Sequence, residues 1–243
     1  MTSEQIIVLC ISAFCIGVAK AGFSGTSLIG VFLMTETFGA KEQIGIALPM
    51  LIMADMIVYP AFRKYGSWKP VWLLLWPALV GIGLALWVLN TVSNESMRSA
   101  IGWIILSMVG MQLVRKWKPE LTSKLAHSKG FGVAAGVTGG VATMLANAAG
   151  PIMQLYLLSR NMSKMDLIGV GARFFLLVNL IKLPLSAGLS LTTWDTLKWN
   201  FAVLPVIVIA VWIGKKLLVK LPQAVFEAMI IVTATVAGVR LLG

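Results

Sequence analysis

Long apolar runs constrain this chain more than any other feature of its sequence. A run of about 20 apolar residues is what an α-helix needs to cross the hydrocarbon core of a bilayer. Apolar residues make up 58% of the 243 residues and charged ones only 12%, too few to cover the surface of a soluble domain. We therefore expect an all-α, polytopic helical membrane protein of about 8–10 helices. The predicted spans are Gln5–Phe38 (interrupted at 20–25), Ile44–Phe62, Pro70–Leu89, Met97–Val114, Gly130–Leu158, Leu167–Ser186, Leu197–Lys215 and Gln223–Leu242.

The basic residues predict how the chain is oriented. A net charge of +11 could indicate nucleic-acid binding, but the lysines and arginines are spread too thinly between apolar runs to form a binding face. Most of them lie in the stretches 63–70, 115–129, 159–166 and 214–222, which the positive-inside rule assigns to the cytoplasm. Both termini are then predicted outside a plasma or inner membrane. Residues 1–5 carry no basic side chain, so the first run is expected to remain in the mature protein rather than to be a cleaved signal.

Residues with metal or catalytic chemistry are scarce. Cys10 and Cys15 share one apolar run, where packing is their expected role, and the single histidine, His127, has no ligand partners nearby. We therefore expect no metal site, no cofactor and no enzyme activity. Ser24 lies one turn from Lys20, so an intramembrane Ser/Lys nucleophile pair is the enzymatic alternative.

The predicted orientation requires the two longest runs to turn back. Gly130–Leu158 begins and ends next to cytoplasmic stretches, whereas Gln5–Phe38 begins and ends outside. Each is therefore predicted to be a hairpin of two short helices broken at glycines, either fully crossing or re-entrant. Irregular backbone at that depth is tolerated only inside protein or beside a watery cavity, so the breaks indicate the transport pathway.

The two halves of the chain resemble each other in the order of their motifs. Gly22–Gly25 matches Gly136–Gly139, and Asp55 falls opposite Asn179. Three spans follow each hairpin and reverse its direction, which predicts an inverted repeat of the kind that secondary transporters use. The predicted division is an N-terminal transmembrane repeat (1–114), a basic cytoplasmic linker (115–129) and a C-terminal inverted repeat (130–243).

These motifs resemble those of the TauE/SafE family of sulfite exporters. The resemblance rests on Gly17–Gly25, on the turn Tyr65–Trp68 leading to Pro77, and on the segments Gly136–Gly139 and Ala146–Pro151. It covers nearly the whole chain. It implies a plasma-membrane permease for sulfite, sulfonates or related organosulfur anions.

Lys20 is the first candidate for binding such an anion. It lies about 22 Å along its helix, counted at 1.5 Å per residue, and a lysine at that depth should face protein or water. The functional interpretation is a counter-charge beside Gly22, Ser24, Gly25 and Thr26, where helix N-terminal amides also attract anions. The alternative is snorkelling from a shallower position.

Four polar residues of the second half are further candidates. Arg173 could bind sulfonate oxygens through paired hydrogen bonds or snorkel to the cytoplasm. Lys182 and Asn179 share a helix face near the outer end, where snorkelling of the lysine is again the alternative. Asn147 lies in a predicted break, where it could cap a helix or bind the substrate.

The remaining candidates are Thr138, Gly139 and Asp55. Thr138 and Gly139 belong to the motif that matches the first hairpin. Asp55 is a carboxylate in the middle of a span, so it either pairs with a buried cation or takes up a proton that couples transport. The ion pair is the preferred interpretation.

Together these residues predict a secondary transporter for a small organic or inorganic anion, working by alternating access. The expected partners are the anion, the lipid bilayer, and protons or another coupling ion. A homodimer is left open, and no nucleic acid is expected. The alternatives are an anion channel, which would share the hairpins, and a membrane scaffold that transports nothing.

Overall fold

The computed structural model describes residues 1–118, 120, 129–160, 162–220 and 223–242. Every regular element within these ranges is helical. Hydroxyl residues start several helices, since the side chains of Thr2, Ser93, Ser163 and Thr193 each accept a hydrogen bond from a first-turn N–H. In chain order the helices are α1 (Ser3–Lys20), a 3-10 turn (Ser24–Thr26), α2 (Ser27–Phe38), α3 (Glu42–Phe62), α4 (Lys69–Thr91), α5 (Asn94–Trp117), α6 (Lys129–Ala146), α7 (Gly150–Ser159), α8 (Lys164–Gly188), α9 (Trp194–Ala202), α10 (Leu204–Lys220) and α11 (Gln223–Arg240).

Several of these helices are long and apolar enough to cross a membrane. Five qualify alone, namely α1, α3, α4, α5 and α8, and α9 with α10 forms a sixth if the bent pair is one span. The predicted polytopic helical membrane fold is therefore confirmed. Helix α5 continues to Trp117, beyond the predicted span Met97–Val114, and His127 lies outside the described residues.

The predicted span Leu197–Lys215 is bent rather than straight. α9 and α10 meet at 50°, with Val203 between them. Pro205 lies in the first turn of α10, where proline is tolerated, but it cannot supply the backbone N–H that a continuous helix needs. The segment therefore divides at this point.

The α1–α2 and α6–α7 hairpins turn back inside the bundle. α2 has 12 residues and α7 has 10, or about 18 and 15 Å, which is too short to cross about 30 Å of hydrocarbon. The end of α1 reaches Asp55 in the middle of α3. The end of α6 reaches Ile44, near the start of α3, where the Asn147 amide donates to the Ile44 carbonyl at 3.2 Å. The two hairpins thus enter the bundle from opposite ends, and each joins one long helix to one short helix.

Helices from the two halves of the chain interlock. α1 packs against α10, and α4 packs against α6 in the corresponding arrangement. α3 and α8 run side by side through the centre, and α5 packs against α11. The contact of α4 with α6 is especially close, since a Cβ on Gly140 would lie 2.1 Å from the Ala78 carbonyl oxygen.

The two ends of the bundle differ in composition. At one end α3 finishes and α8 begins, and the Gly66 N–H donates to Asp166 at 2.8 Å. We call this the basic end, because its loops hold Arg63, Lys64, Lys69 and Arg160. At the opposite end Arg98 pairs with Glu36 at 2.8 Å and donates to the Arg240 carbonyl at 3.3 Å, which places the end of α11 there.

Candidate functional site

The first hairpin breaks immediately after Lys20. Gly22 has a φ of +127°, which residues with a side chain rarely adopt, so glycine allows the chain to leave α1 here. The Thr26 hydroxyl lies 3.0 Å from the Cys15 carbonyl oxygen and ties the 3-10 turn back to α1. This segment, residues 21–26, is break 1, and it holds the end of α1 inside the bundle.

Lys20 forms an ion pair with Asp55 of α3. Its ammonium nitrogen lies 2.7 Å from Oδ1 and 2.9 Å from Oδ2 of the carboxylate. Asn179 of α8 donates to the same Oδ2 at 2.8 Å. The Asp55 side chain is 1% exposed and that of Lys20 is 12% exposed, so each desolvated charge depends on the other. Asp55 thus contacts a buried cation, as the ion-pair interpretation of this residue expects.

The second hairpin breaks at Asn147, where φ is +52°. Asparagine is one of the few non-glycine residues that adopt this left-handed conformation at a helix end. Its side-chain amide bonds in two directions, because the nitrogen donates to the Ile44 carbonyl and the oxygen accepts from Lys182 at 2.6 Å. Asn147 therefore ends α6 and ties break 2 (residues 147–149) to α3 and α8.

Lys182 of α8 is completely buried beside break 2. Its ammonium donates to the Thr143 carbonyl at 2.6 Å, to the Thr143 hydroxyl at 3.2 Å and to Asn147 Oδ1 at 2.6 Å. An ammonium has three donors, so these three oxygens satisfy it. All three are neutral, and no carboxylate within the described ranges forms an ion pair with Lys182.

Two cavities adjoin these groups. The inner cavity has a volume of about 40 Å³ and lies between the two breaks; its lining includes Lys20, Ser27, Leu51, Thr143, Asn147 and Asn179. A second cavity of about 60 Å³, here called the vestibule, extends towards the basic end along α3, α7 and α8; its lining includes Gly22, Val58, Leu157, Leu167, Ile168 and Gly171. Each cavity is large enough to hold water.

Arg173 lines neither cavity. Its guanidinium donates to the carbonyls of Arg63, Tyr65 and Gly169, and it lies 5.4 Å from the centre of the Trp68 ring. A cation at the carbonyl end of a helix is stabilising, and this one joins the end of α3 to α8 at the basic end. The arginine is buried against protein, so it neither snorkels nor reaches the inner cavity.

Thr138 and Gly139 do not lie at the second break, although their motif matches the first hairpin. Both lie inside α6, and the Thr138 hydroxyl donates to the Ala134 carbonyl at 2.7 Å within the same helix. The match between Gly22–Gly25 and Gly136–Gly139 therefore pairs a break with a helix interior. Glycine is needed there for packing, because a Cβ on Gly136 would lie 2.6 Å from the Cβ of Pro77 in α4.

Two further candidates belong to break 1. Gly25 is buried in the 3-10 turn. The side chain of Ser24 lies outside the part of the molecule that the structure describes.

Phe175 and Thr143 are residues of the site that the sequence did not single out. Phe175 lies one turn before Asn179 on α8, and its ring centre is 4.3 Å from the Lys20 ammonium nitrogen. Thr143 lies one turn before Asn147 on α6. Helical spacing from the predicted polar residues could have found both, since positions one turn apart share a helix face.

A family comparison covers almost all of these elements. The family described as sulfite exporter TauE/SafE matches residues 9–241, from the first half of α1 to the end of α11. The chain belongs to the TauE/SafE family. The resemblance that the glycine motifs indicated is thereby confirmed. Neither a comparison with curated proteins nor one with solved structures gives a match.

Membership in the TauE/SafE family implies a membrane transporter of sulfite or related anions rather than an enzyme. Among the described residues, no group of three or more His, Cys, Asp or Glu side chains could hold a metal ion. Three charged side chains of this TauE/SafE protein, Lys20, Asp55 and Lys182, lie around the two breaks, whereas the buried Arg173 lies at the basic end.

Proposed function

We propose that the inner cavity binds the substrate of a secondary transporter for sulfite, a sulfonate or a related organosulfur anion. The charge balance around the cavity is the observation that carries this proposal. Lys20 and Lys182 bring two positive charges, and Asp55 brings one negative charge that already pairs with Lys20. One positive charge therefore remains without a carboxylate among the described residues.

A bound anion would balance this remaining charge. Two opposite unit charges 4 Å apart attract each other by about 4 kcal/mol at an effective dielectric constant of 20. Lys20 lines the cavity and stays partly exposed, so its ammonium can contact the anion directly. Lys182 is fully bonded to neutral oxygens and contributes through its charge.

The contacts at the opposite end of the bundle support alternating access. A Cβ on Gly45 of α3 would lie 1.9 Å from the Leu191 carbonyl oxygen, so the loop after α8 lies directly on α3. The Thr192 hydroxyl also donates to the Gly45 carbonyl at 3.1 Å. An anion can leave towards that end only after this contact opens, and a transporter must open its two ends in turn.

The arrangement of the helices supports the division into two inverted repeats, 1–114 and 130–243. The hairpins enter from opposite ends, and the contact of α1 with α10 has its counterpart in that of α6 with α4. Substrate sites of inverted-repeat transporters lie where the broken helices of the two repeats meet. The inner cavity occupies that position.

The distribution of basic residues supports a cytoplasmic basic end and two external termini in a plasma or inner membrane. In this orientation the vestibule faces the cytoplasm. An anion that leaves the cell gains about 2.3 kcal/mol per negative charge at an inside-negative potential of 100 mV. The membrane potential can therefore drive export without ATP.

Counterflow in proteoliposomes tests this function. Vesicles loaded with unlabelled sulfite should accumulate external radiolabelled sulfite faster than empty vesicles, because a carrier returns with bound substrate. Parallel arms with sulfonates and with a pH gradient identify the anion and any coupling to protons. Flux without such stimulation would indicate a channel, and flux equal to that of protein-free liposomes would indicate a scaffold; either result contradicts the proposal.

A further inference from the structure

The vestibule and the inner cavity adjoin each other. The two linings share only Ala19, Lys20, Gly150 and Phe175 among the described residues. Ala19 and Gly150 have little or no side chain, so Lys20 and Phe175 form the partition between the cavities.

The two halves of this partition differ in how firmly they are held. The Lys20 ammonium is fixed by both oxygens of Asp55, at 2.7 and 2.9 Å. The Phe175 ring is only partly buried and makes an edge contact with Phe174, with ring centres 5.3 Å apart. An aromatic ring can change its χ1 rotamer without breaking a hydrogen bond, whereas the ammonium cannot leave without stranding a carboxylate. The ring is therefore the half that can move.

The contact between the Phe175 ring and the Lys20 ammonium also links movement of the ring to binding of the anion. The ring centre lies 4.3 Å from the ammonium nitrogen, a cation–π distance. The ring thus covers Lys20, the only cation of the described residues that lines both cavities. An anion arriving from the vestibule competes with the ring for that cation.

The linings of the two cavities also differ in charge. The vestibule lining holds Leu157, Leu167 and Ile168, with Asp55 and Gln154 as its polar side chains besides Lys20. On the other side of the ring the inner cavity is lined by the neutral polar side chains of Thr143, Asn147 and Asn179 and by no carboxylate among the described residues. An anion that has passed the ring therefore leaves the side of the partition on which the Asp55 carboxylate lies.

We propose that Phe175 is the gate between the vestibule and the substrate site, and that it opens when an incoming oxyanion replaces its ring at the Lys20 ammonium. This inference rests on the proposed function for the identity of the anion. The barrier itself is independent of what is transported. Phe175 acts as a positioning residue that controls entry.

Cysteine labelling tests the barrier on the full-length protein. In a background with Cys10→Ser and Cys15→Ser, Leu51→Cys reports on the inner cavity and Ile168→Cys reports on the vestibule. A small uncharged thiol reagent is applied from the basic end in the absence of sulfite, because a reagent with a sulfonate group would itself displace the ring. Phe175→Ala should raise the labelling rate at position 51 by about tenfold, the effect of a modest loss of barrier height, and leave the rate at position 168 unchanged.

Two further variants keep the test decisive. Phe175→Leu retains apolar volume but removes the ring, so it should give an intermediate increase even if the alanine variant folds poorly. Phe201→Ala removes an exposed phenylalanine on α9 and should change neither rate. Equal labelling at position 51 with and without the Phe175 ring would overturn the gate.

Adding sulfite separates the gate from the proposed function. Sulfite should slow labelling at position 51 more than at position 168, because it occupies the inner cavity, whereas consumption of the reagent by sulfite slows both positions equally. If the Phe175 variants label faster but sulfite gives no protection at any concentration, the gate stands and the assignment of the anion fails. If sulfite protects but the ring makes no difference, the substrate site stands and the gate fails.

Discussion

The two breaks use a buried lysine in different ways. At break 1 the Lys20 ammonium pairs with the Asp55 carboxylate, which also accepts from Asn179. At break 2 the Lys182 ammonium is held by three neutral oxygens from Thr143 and Asn147. Break 1 therefore pairs its lysine with a carboxylate, whereas at break 2 no carboxylate among the described residues pairs with Lys182; our proposal takes this lysine as protonated.

Because of this difference, we expect the two lysines to contribute unequally to the stability of the fold and to the binding of the anion. Removing the lysine at break 1 leaves a buried carboxylate alone, which is expensive for the fold. Removing the lysine at break 2 leaves neutral oxygens, which costs the fold less but removes the charge that attracts an anion. The break with the uncompensated charge should therefore dominate substrate affinity, and the other should dominate stability.

The largest expected effect is on stability at break 1. Lys20→Met should lower the free energy of unfolding by about 3–5 kcal/mol and abolish transport with it, because it strands Asp55. The double variant Lys20→Met/Asp55→Asn should recover most of that loss. Chemical unfolding of purified protein in detergent measures both.

Lys198→Met is the matched control, because Lys198 pairs with Asp195 at 3.0 Å on an exposed surface. Its loss should cost less than about 1 kcal/mol. If the double variant is no more stable than Lys20→Met, the stranded Asp55 carboxylate is not the cause of the lost stability, which contradicts the account of break 1.

The next effect is on transport at break 2. Lys182→Met should reduce sulfite counterflow by about a hundredfold, or about 2.7 kcal/mol, because the inner cavity loses its uncompensated charge. Its cost in unfolding free energy should be smaller than that of Lys20→Met. Counterflow and chemical unfolding, measured on both variants, should show that Lys182→Met loses less stability than Lys20→Met although it also loses transport. Undiminished flux in Lys182→Met would contradict this.

A smaller effect concerns the backbone of break 1. Gly22→Ala should lower the free energy of unfolding by about 1–3 kcal/mol, because alanine is strained at a φ of +127°. Gly83→Ala is the control, since Gly83 lies in a helix with no atom within 4 Å of its added Cβ. Thermal unfolding should show a lower midpoint for the first variant and no decrease for the second; equal midpoints would mean that break 1 does not require glycine.

Much of the fold follows from the sequence because hydrophobic length and charge position are properties of single segments. The apolar runs correspond to helices, and the return of both long runs follows from the placement of the basic stretches. Asp55 and Asn179, matched across the halves, do contact each other at 2.8 Å. Features of a single segment, and features repeated in both halves of the chain, can be recognised in the sequence before the packing of the helices is known.

The position of break 2 could not be read in the same way. Glycine serves both to break a helix and to let two helices approach closely, and the sequence does not distinguish these uses. At Gly136 and Gly140 it serves the contact with α4, while Asn147 provides the break. Arg173 was ambiguous for a similar reason, because its partners are backbone carbonyls brought together only by tertiary packing.

The most direct test is to give break 2 the charge balance of break 1. Asn147→Asp puts a carboxylate where an amide oxygen now lies 2.6 Å from the Lys182 ammonium, whereas Asn147→Gly removes the same amide without adding a charge. Calorimetric titration with sulfite should show binding to Asn147→Asp about a hundredfold weaker than to Asn147→Gly, because the last uncompensated charge is cancelled. Equal or tighter binding by the aspartate variant would contradict the claim that this charge holds the anion.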